Sequence, residues 1–144
     1  MNYEWFLSCI EDARKNYRIK GDKNYIIGHS MGAWDANRFA AQYPEVIDSY
    51  VAYSGGFYTD DLSEEELTEK LEGMKANNVK AFISCGDQDN PHAEENAHYA
   101  TDLLKEAGVF AEFALIESTH GYNDNVVAYT QEWIRKYVLK TQDE

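Results

Sequence analysis

The sequence is short of cysteine, short of cations and without a long hydrophobic run, and each shortage removes a class of protein. Cys9 and Cys85 are the two cysteines among 144 residues, too few for a disulfide framework and not at a metal-ligand spacing. Thirteen Lys+Arg stand against 26 Asp+Glu, a formal net charge of −13. A surface that acidic repels phosphate backbones and anionic membranes, which argues against nucleic-acid partners and membrane binding. No run approaches the roughly 20 apolar residues of a membrane-spanning helix. The stretch from Met1 to Arg14 carries Glu4, Glu11 and Asp12 and lacks the basic start of a secretory signal. There is no P-loop, dinucleotide fingerprint or His/Cys/acid metal cluster, so neither a cofactor nor a metal is expected. What is present is 44% hydrophobic and 27% charged residues, an ordinary globular composition. The expectation is one acidic, cytoplasmic domain over residues 1–144, able to bury about two-thirds of its unfolded surface.

Hydrophobic spacing alternates between two periods. Phe6, Ile10, Ala13 and Tyr17 share a helical face that ends before Gly21. The run from Asn24 to Gly28 reads as a strand, and the alanine-rich segment from Met31 to Tyr43, closed by Pro44, reads as a helix. A strand is expected from Val46 to Ser54, stopping at Gly55-Gly56. Ser63 suits a helix N-cap, with Glu64, Glu65 and Glu66 in the first turn of a helix reaching Met74. Further strands are expected from Val79 to Cys85 and from Val109 to Glu117. The helix between them opens at Pro91 and stops at Gly108. Val126, Val127, Trp133, Ile134, Tyr137 and Val138 outline a C-terminal amphipathic helix. Such alternation predicts an α/β fold: a mainly parallel sheet of about four strands with crossover helices, in three α/β/α layers. The strands are nearly continuous apolar runs, as when both sheet faces are covered.

Between the first strand and the second helix lies Gly28-His29-Ser30-Met31-Gly32, a G-x-S-x-G pattern. A serine on a tight strand-to-helix turn takes a strained backbone and needs neighbours without bulky side chains. Its hydroxyl then stands above the sheet edge, and the helix N-terminus offers N–H groups to a developing oxyanion, Met31 N–H first. A serine hydroxyl needs a base. The third strand ends in Gly86-Asp87-Gln88-Asp89-Asn90-Pro91 and the fourth in Ser118-Thr119-His120-Gly121. Both loops lie at the C-terminal edge of the sheet, where open α/β folds place their sites. The order Ser, Asp, His is that of an α/β-hydrolase triad. Asp87 and Asp89 are both candidates at this point.

The run from Tyr25 through Gly-His-Ser-Met-Gly to Trp34, the Tyr43-Pro-Glu segment and the Ala52-Tyr-Ser-Gly-Gly strand end resemble the C-terminal half of an α/β-hydrolase. The esterase-D-like and feruloyl-esterase-like branch is the nearest in pattern. The resemblance implies an esterase with Ser30 as nucleophile and His120 as general base and acid. The family's G-x-x-D pattern selects Asp89 after Gly86 as the acid, with Asp87 as its rival, able instead to hold the turn. Ester, thioester and amide hydrolysis share this machinery, and the resemblance favours small acyl esters. His29, Phe57, Tyr58 and Tyr122, with Trp34, are candidate substrate contacts, although core packing is the stronger reading for most of the aromatics and packing or hydrogen bonding beside the sheet for His29. Cys85 reads as a buried strand cysteine, Cys9 as helix packing, and His92 and His98 as surface residues.

The chain departs from the family in length. Several strands that precede the elbow in the family are missing, along with the loop that gives the second oxyanion donor. Loss of one such donor costs about 3 kcal/mol, so weak catalysis is expected unless another chain replaces it. The elbow strand becomes an apolar edge. A homo-oligomer joined there, or a partner chain bearing the missing strands, is therefore expected. A non-catalytic or split hydrolase fragment serving as an assembly module is the alternative.

Overall fold

In the computed structural model, which describes residues 3–19, 21 and 23–139, helices and strands alternate as the hydrophobic periods require. Helix α1 (Glu4–Asn16) precedes strand β1 (Asn24–His29), α2 (Met31–Gln42) and β2 (Ile47–Tyr53). Then come α3 (Glu64–Ala76), β3 (Lys80–Gly86), α4 (Pro91–Glu106), β4 (Phe110–Ile116) and α5 (Asp124–Ile134), which runs into a π-helical turn (Arg135–Leu139). Local chemistry sets several boundaries. Ser63 accepts from Glu66 N–H while the Glu66 carboxylate accepts from Ser63 N–H, a capping box that starts α3. Asn90 caps α4 ahead of Pro91, and Asn123 caps α5. Gly108, at φ +79, supplies the left-handed residue that stops α4.

The four strands are all parallel and lie in chain order, β1-β2-β3-β4. Gly28 stands beside Ala52, Ala52 beside Ile83 and Ile83 beside Phe113. Right-handed crossovers that all step the same way put their helices on one face. There Ala33, Ala36, Phe39 and Ala40 of α2, Met74 of α3, and Ala97 and Leu104 of α4 pack with Tyr50, Ala52, Ala81 and Ile83. Alanine toward the sheet lets α2 lie close to β1 and β2. The end of α5 and the turn after it cover the other face, where Trp133 stacks on Phe82 and Val138 joins Val51.

Three sequence expectations change. The strands are not all covered on both faces: Tyr25 and Ile27 of β1 are 48% and 55% exposed, because the α5 segment packs over β2 to β4 and stops short of the edge. Tyr17 leaves the helical face; it is the extended C-cap of α1 and is exposed. Cys9 is exposed rather than packed. Phe6 does pack, edge-on to Phe39 at 5.0 Å, and Arg14 ties α1 to the start of β1 through Lys23 O and Asn24 Oδ1. No helix among the described residues is long and apolar enough to cross a membrane.

Candidate active site

The turn at Ser30 is built by backbone constraints on both sides. Ser30 has φ 55 and ψ −120, a conformation that costs a non-glycine residue about 1–3 kcal/mol. Its N–H donates to Tyr53 O at 2.9 Å, and its carbonyl accepts from Ala33 N–H at 2.9 Å to open α2. Gly28 makes the turn possible, since a Cβ there would stand 2.1 Å from Gly32 O and 2.8 Å from Ala33 N. Gly32 has open space where a Cβ would go, so the two-glycine requirement expected from the motif reduces to one. Two further glycines take its place: a Cβ on Gly55 would meet Ala33 Cβ at 2.6 Å and Ser30 O at 2.8 Å, and one on Gly56 would meet the Trp34 ring at 2.7 Å.

Ser30 makes no side-chain cap to α2. Its Oγ lies 2.8 Å from Nε2 of His120, whose Nδ1 lies 3.0 Å from both carboxylate oxygens of Asp89. The three residues come from the end of β1, the loop after β4 and the loop after β3. Asp89 Oδ1 also accepts from Asn90 N–H at 2.7 Å, and the Asp89 side chain is 3% exposed. Burial pushes its carboxyl up, but the Ser54 hydroxyl, the Asn90 N–H and His120 outweigh burial and hold it below the ordinary carboxylate value. Asp89 is therefore an anion across the neutral range. Cys85, fully buried, approaches Asp89 Oδ2 at 3.7 Å. Burial first, and the Asp89 charge next, push its thiol up to about 11, which leaves it protonated and unsuited to nucleophilic attack.

Asp87 has a different task. Its Oδ1 accepts from Ser118 N–H at 3.1 Å, and Gln88 N–H donates to Ser118 O at 3.0 Å, so the acid loop and the His120 loop are laced together. Gly86 permits that closeness, because a Cβ would stand 2.3 Å from Ser118 O and 2.4 Å from Thr119 O. From the other side, Tyr53 OH donates to Thr119 O. His29 Nε2 lies 2.6 Å from His120 O. A carbonyl only accepts, so His29 carries its proton on Nε2.

The cleft in front of Ser30 encloses about 490 Å³ and is walled by Trp34, Gly55, Asn90, His92, Ala93 and Asn96. Trp34 is where an aromatic wall was expected. The other sequence candidates lie elsewhere. Phe57 is 2% exposed and belongs to the core, which corrects its expected place in the cleft. Tyr58 lies against the Trp34 ring at 4.8 Å but lines a separate groove with Tyr3, Arg38, Asp60 and Asp61. Tyr122 packs on Tyr53 and shares a hydrogen bond with Thr130 Oγ1. His29 does not line this cleft, and its Nε2 is committed to the His120 loop. Ala93 and Asn96 were overlooked in the sequence; their signal is the i, i+3 face of a helix that begins immediately after the acid loop. Met31 opens α2, and an N–H at that position has no acceptor within its helix. No group of three or more potential metal ligands occurs among the described residues.

No protein-family model and no curated protein matches this sequence. Solved structures do. A ferulic acid esterase aligns at TM-score 0.66 and 17% identity, over 90% of this chain and 57% of its own. The S-formylglutathione hydrolase of Staphylococcus aureus aligns at TM-score 0.64 and 22% identity, over 93% and 57%. A fluorophosphonate-binding serine hydrolase from the same organism aligns at 0.66 and 18%, over 92% and 62%. The chain thus has the fold of part of an α/β-hydrolase and spans about three-fifths of the length of these neighbours.

Proposed function

We propose that the chain is a serine hydrolase that cleaves small carboxylic esters through an acyl-enzyme. The observation that carries this reading is the hydrogen-bonded series from Ser30 Oγ through His120 to Asp89. In the first half-reaction Ser30 Oγ attacks the ester carbonyl carbon while His120 Nε2 takes its proton. Met31 N–H stabilises the tetrahedral oxyanion, and Asp89 stabilises the imidazolium. Collapse breaks the ester C–O bond, and His120 returns its proton to the departing alcohol. Water, deprotonated by His120, then releases the acid and restores Ser30. The neighbouring folds include a ferulic acid esterase and a fluorophosphonate-binding serine hydrolase, which supports the same chemistry.

The test is reaction of the intact protein with a fluorophosphonate probe, read by mass spectrometry. The expected result is one adduct, mapped to the peptide that holds Ser30. An unmodified protein, or an adduct elsewhere, removes the proposal.

A second proposal follows from β1. Among the described residues this strand is at the sheet edge with one side unpaired, and its sequence from Asn24 to His29 holds none of the lysines or prolines that usually blunt an edge. Tyr25 and Ile27 add exposed apolar area beside it. The chain therefore self-associates through β1. Light scattering on the purified chain is expected to give a multiple of the monomer mass, and Ile27→Lys to return it to a monomer. A monomeric wild-type chain refutes this.

A further inference from the structure

Immediately after the strand that pairs with β1, the backbone is again strained. Ser54 follows β2 with φ 56, a left-handed conformation that favours glycine. The sequence continues Gly55-Gly56, so the strained position is occupied by the one residue of three that carries a side chain. That side chain is not solvated. Ser54 is 4% exposed, and its Oγ is buried without a well-formed hydrogen bond. A strained backbone combined with an unsatisfied buried hydroxyl is a double cost, and such costs persist where they serve a site.

The surroundings indicate what it serves. Ser54 N–H donates to Ser84 O at 2.8 Å, which fixes it across the ends of β2 and β3. Ser54 sits with Asp89, Ser30 and His120 around one cleft. Asp89 Oδ1 is held by Asn90 N–H, whereas Oδ2 has, besides His120, only the weak Cys85 thiol at 3.7 Å. A carboxylate can accept about four hydrogen bonds, so Oδ2 has capacity to spare. Hydrogen bonds in a resting site are often long and shorten when charge develops.

We propose that Ser54 is a positioning residue for Asp89: its hydroxyl donates to the carboxylate and keeps it ionised and aimed at His120 Nδ1. The reading rests on the hydrolase proposed above, with Asp89 as the acid. It explains why a serine occupies a glycine conformation, since glycine would relieve the backbone and lose the donor. The influence of the Ser54 hydroxyl in holding the Asp89 carboxyl down is consistent with it.

Ser54→Gly and Ser54→Ala separate the hydroxyl from the strain. Both lack the donor, but only glycine accepts φ 56 without cost. The maximal rate of fluorophosphonate reaction is expected to fall about tenfold in both, with the half-saturating probe concentration unchanged. Ser54→Gly should melt above Ser54→Ala, because only alanine keeps the strained backbone. A wild-type maximal rate in Ser54→Gly overturns the inference, because a backbone role alone then accounts for the serine. Carbon-13 NMR of the Asp89 carboxyl gives a readout that needs no activity. Its titration midpoint is expected to move up in both variants. If the wild-type chain does not react with the probe, the hydrolase reading fails, while an unmoved Asp89 midpoint sinks the Ser54 inference by itself.

Discussion

Asp89→Asn is expected to lower the rate of probe reaction and of ester turnover by about 10³–10⁴-fold while leaving the fold intact. The cause is the direction of one hydrogen bond. An ionised Asp89 accepts from His120 Nδ1–H, which leaves Nε2 with a free lone pair toward Ser30 Oγ at 2.8 Å. An asparagine can offer its amide N–H to Nδ1 instead. The imidazole then carries its proton on Nε2, where it donates to Ser30 and can no longer take a proton from it. The imidazolium formed during attack also loses its counter-charge. Asp87→Asn is the control, because an amide oxygen can still accept from Ser118 N–H. Its rate should stay within about tenfold of wild type. Steady-state kinetics and probe labelling on the two variants decide the assignment; a large loss at Asp87 and a small one at Asp89 would reverse it.

Gly28→Ala is expected to remove the folded elbow altogether, and Gly32→Ala to be tolerated. The added methyl at Gly28 meets Gly32 O at 2.1 Å and Gly32 C at 2.5 Å, both backbone atoms inside α2 or at its start. Neither can retreat without pulling α2 away from β1 and Ser30 away from His120. A clash against backbone of this kind costs several kcal/mol, a large part of the roughly 5–15 kcal/mol that holds a domain folded. At Gly32 the methyl enters open space, and alanine favours a helix by roughly 0.5–1 kcal/mol over glycine. Thermal melts followed by circular dichroism should show a broad or absent transition for Gly28→Ala and a wild-type or higher midpoint for Gly32→Ala. The opposite order would contradict the geometry of the turn.

Much of this architecture was legible in the chain. The change between helical and strand spacing placed every element from α1 to α5, because burial selects the period directly. Ser63, Pro91 and Gly108 marked boundaries through local backbone chemistry that needs no distant partner. The order Ser30, Asp89, His120 was legible because each residue ends or follows a strand. In a parallel sheet all strand ends of one sense lie along one edge. Aromatic residues were less legible: Phe57, Tyr58 and Tyr122 have the same composition signal whether they wall a cleft or fill a core. For Phe57 and Tyr58 the difference lies in which way the loop turns after Gly55-Gly56, and for Tyr122 in which way the chain turns after His120.

By itself, then, the sequence determined the α/β alternation, the edge on which the site lies and the serine, the histidine and the two candidate aspartates that stand there, since these depend on local periodicity and chain order. Only the tertiary structure decided which aspartate faces His120, that Asp87 laces the two loops, and that His29 holds a carbonyl. It also decided that Gly28 and not Gly32 is sterically required, and that β1 is left open on one side. Those outcomes depend on distances between segments remote in the chain, some 30 to 90 residues apart in the case of Asp89, His120 and Ser30. No local pattern records such distances until the sheet brings its loops together.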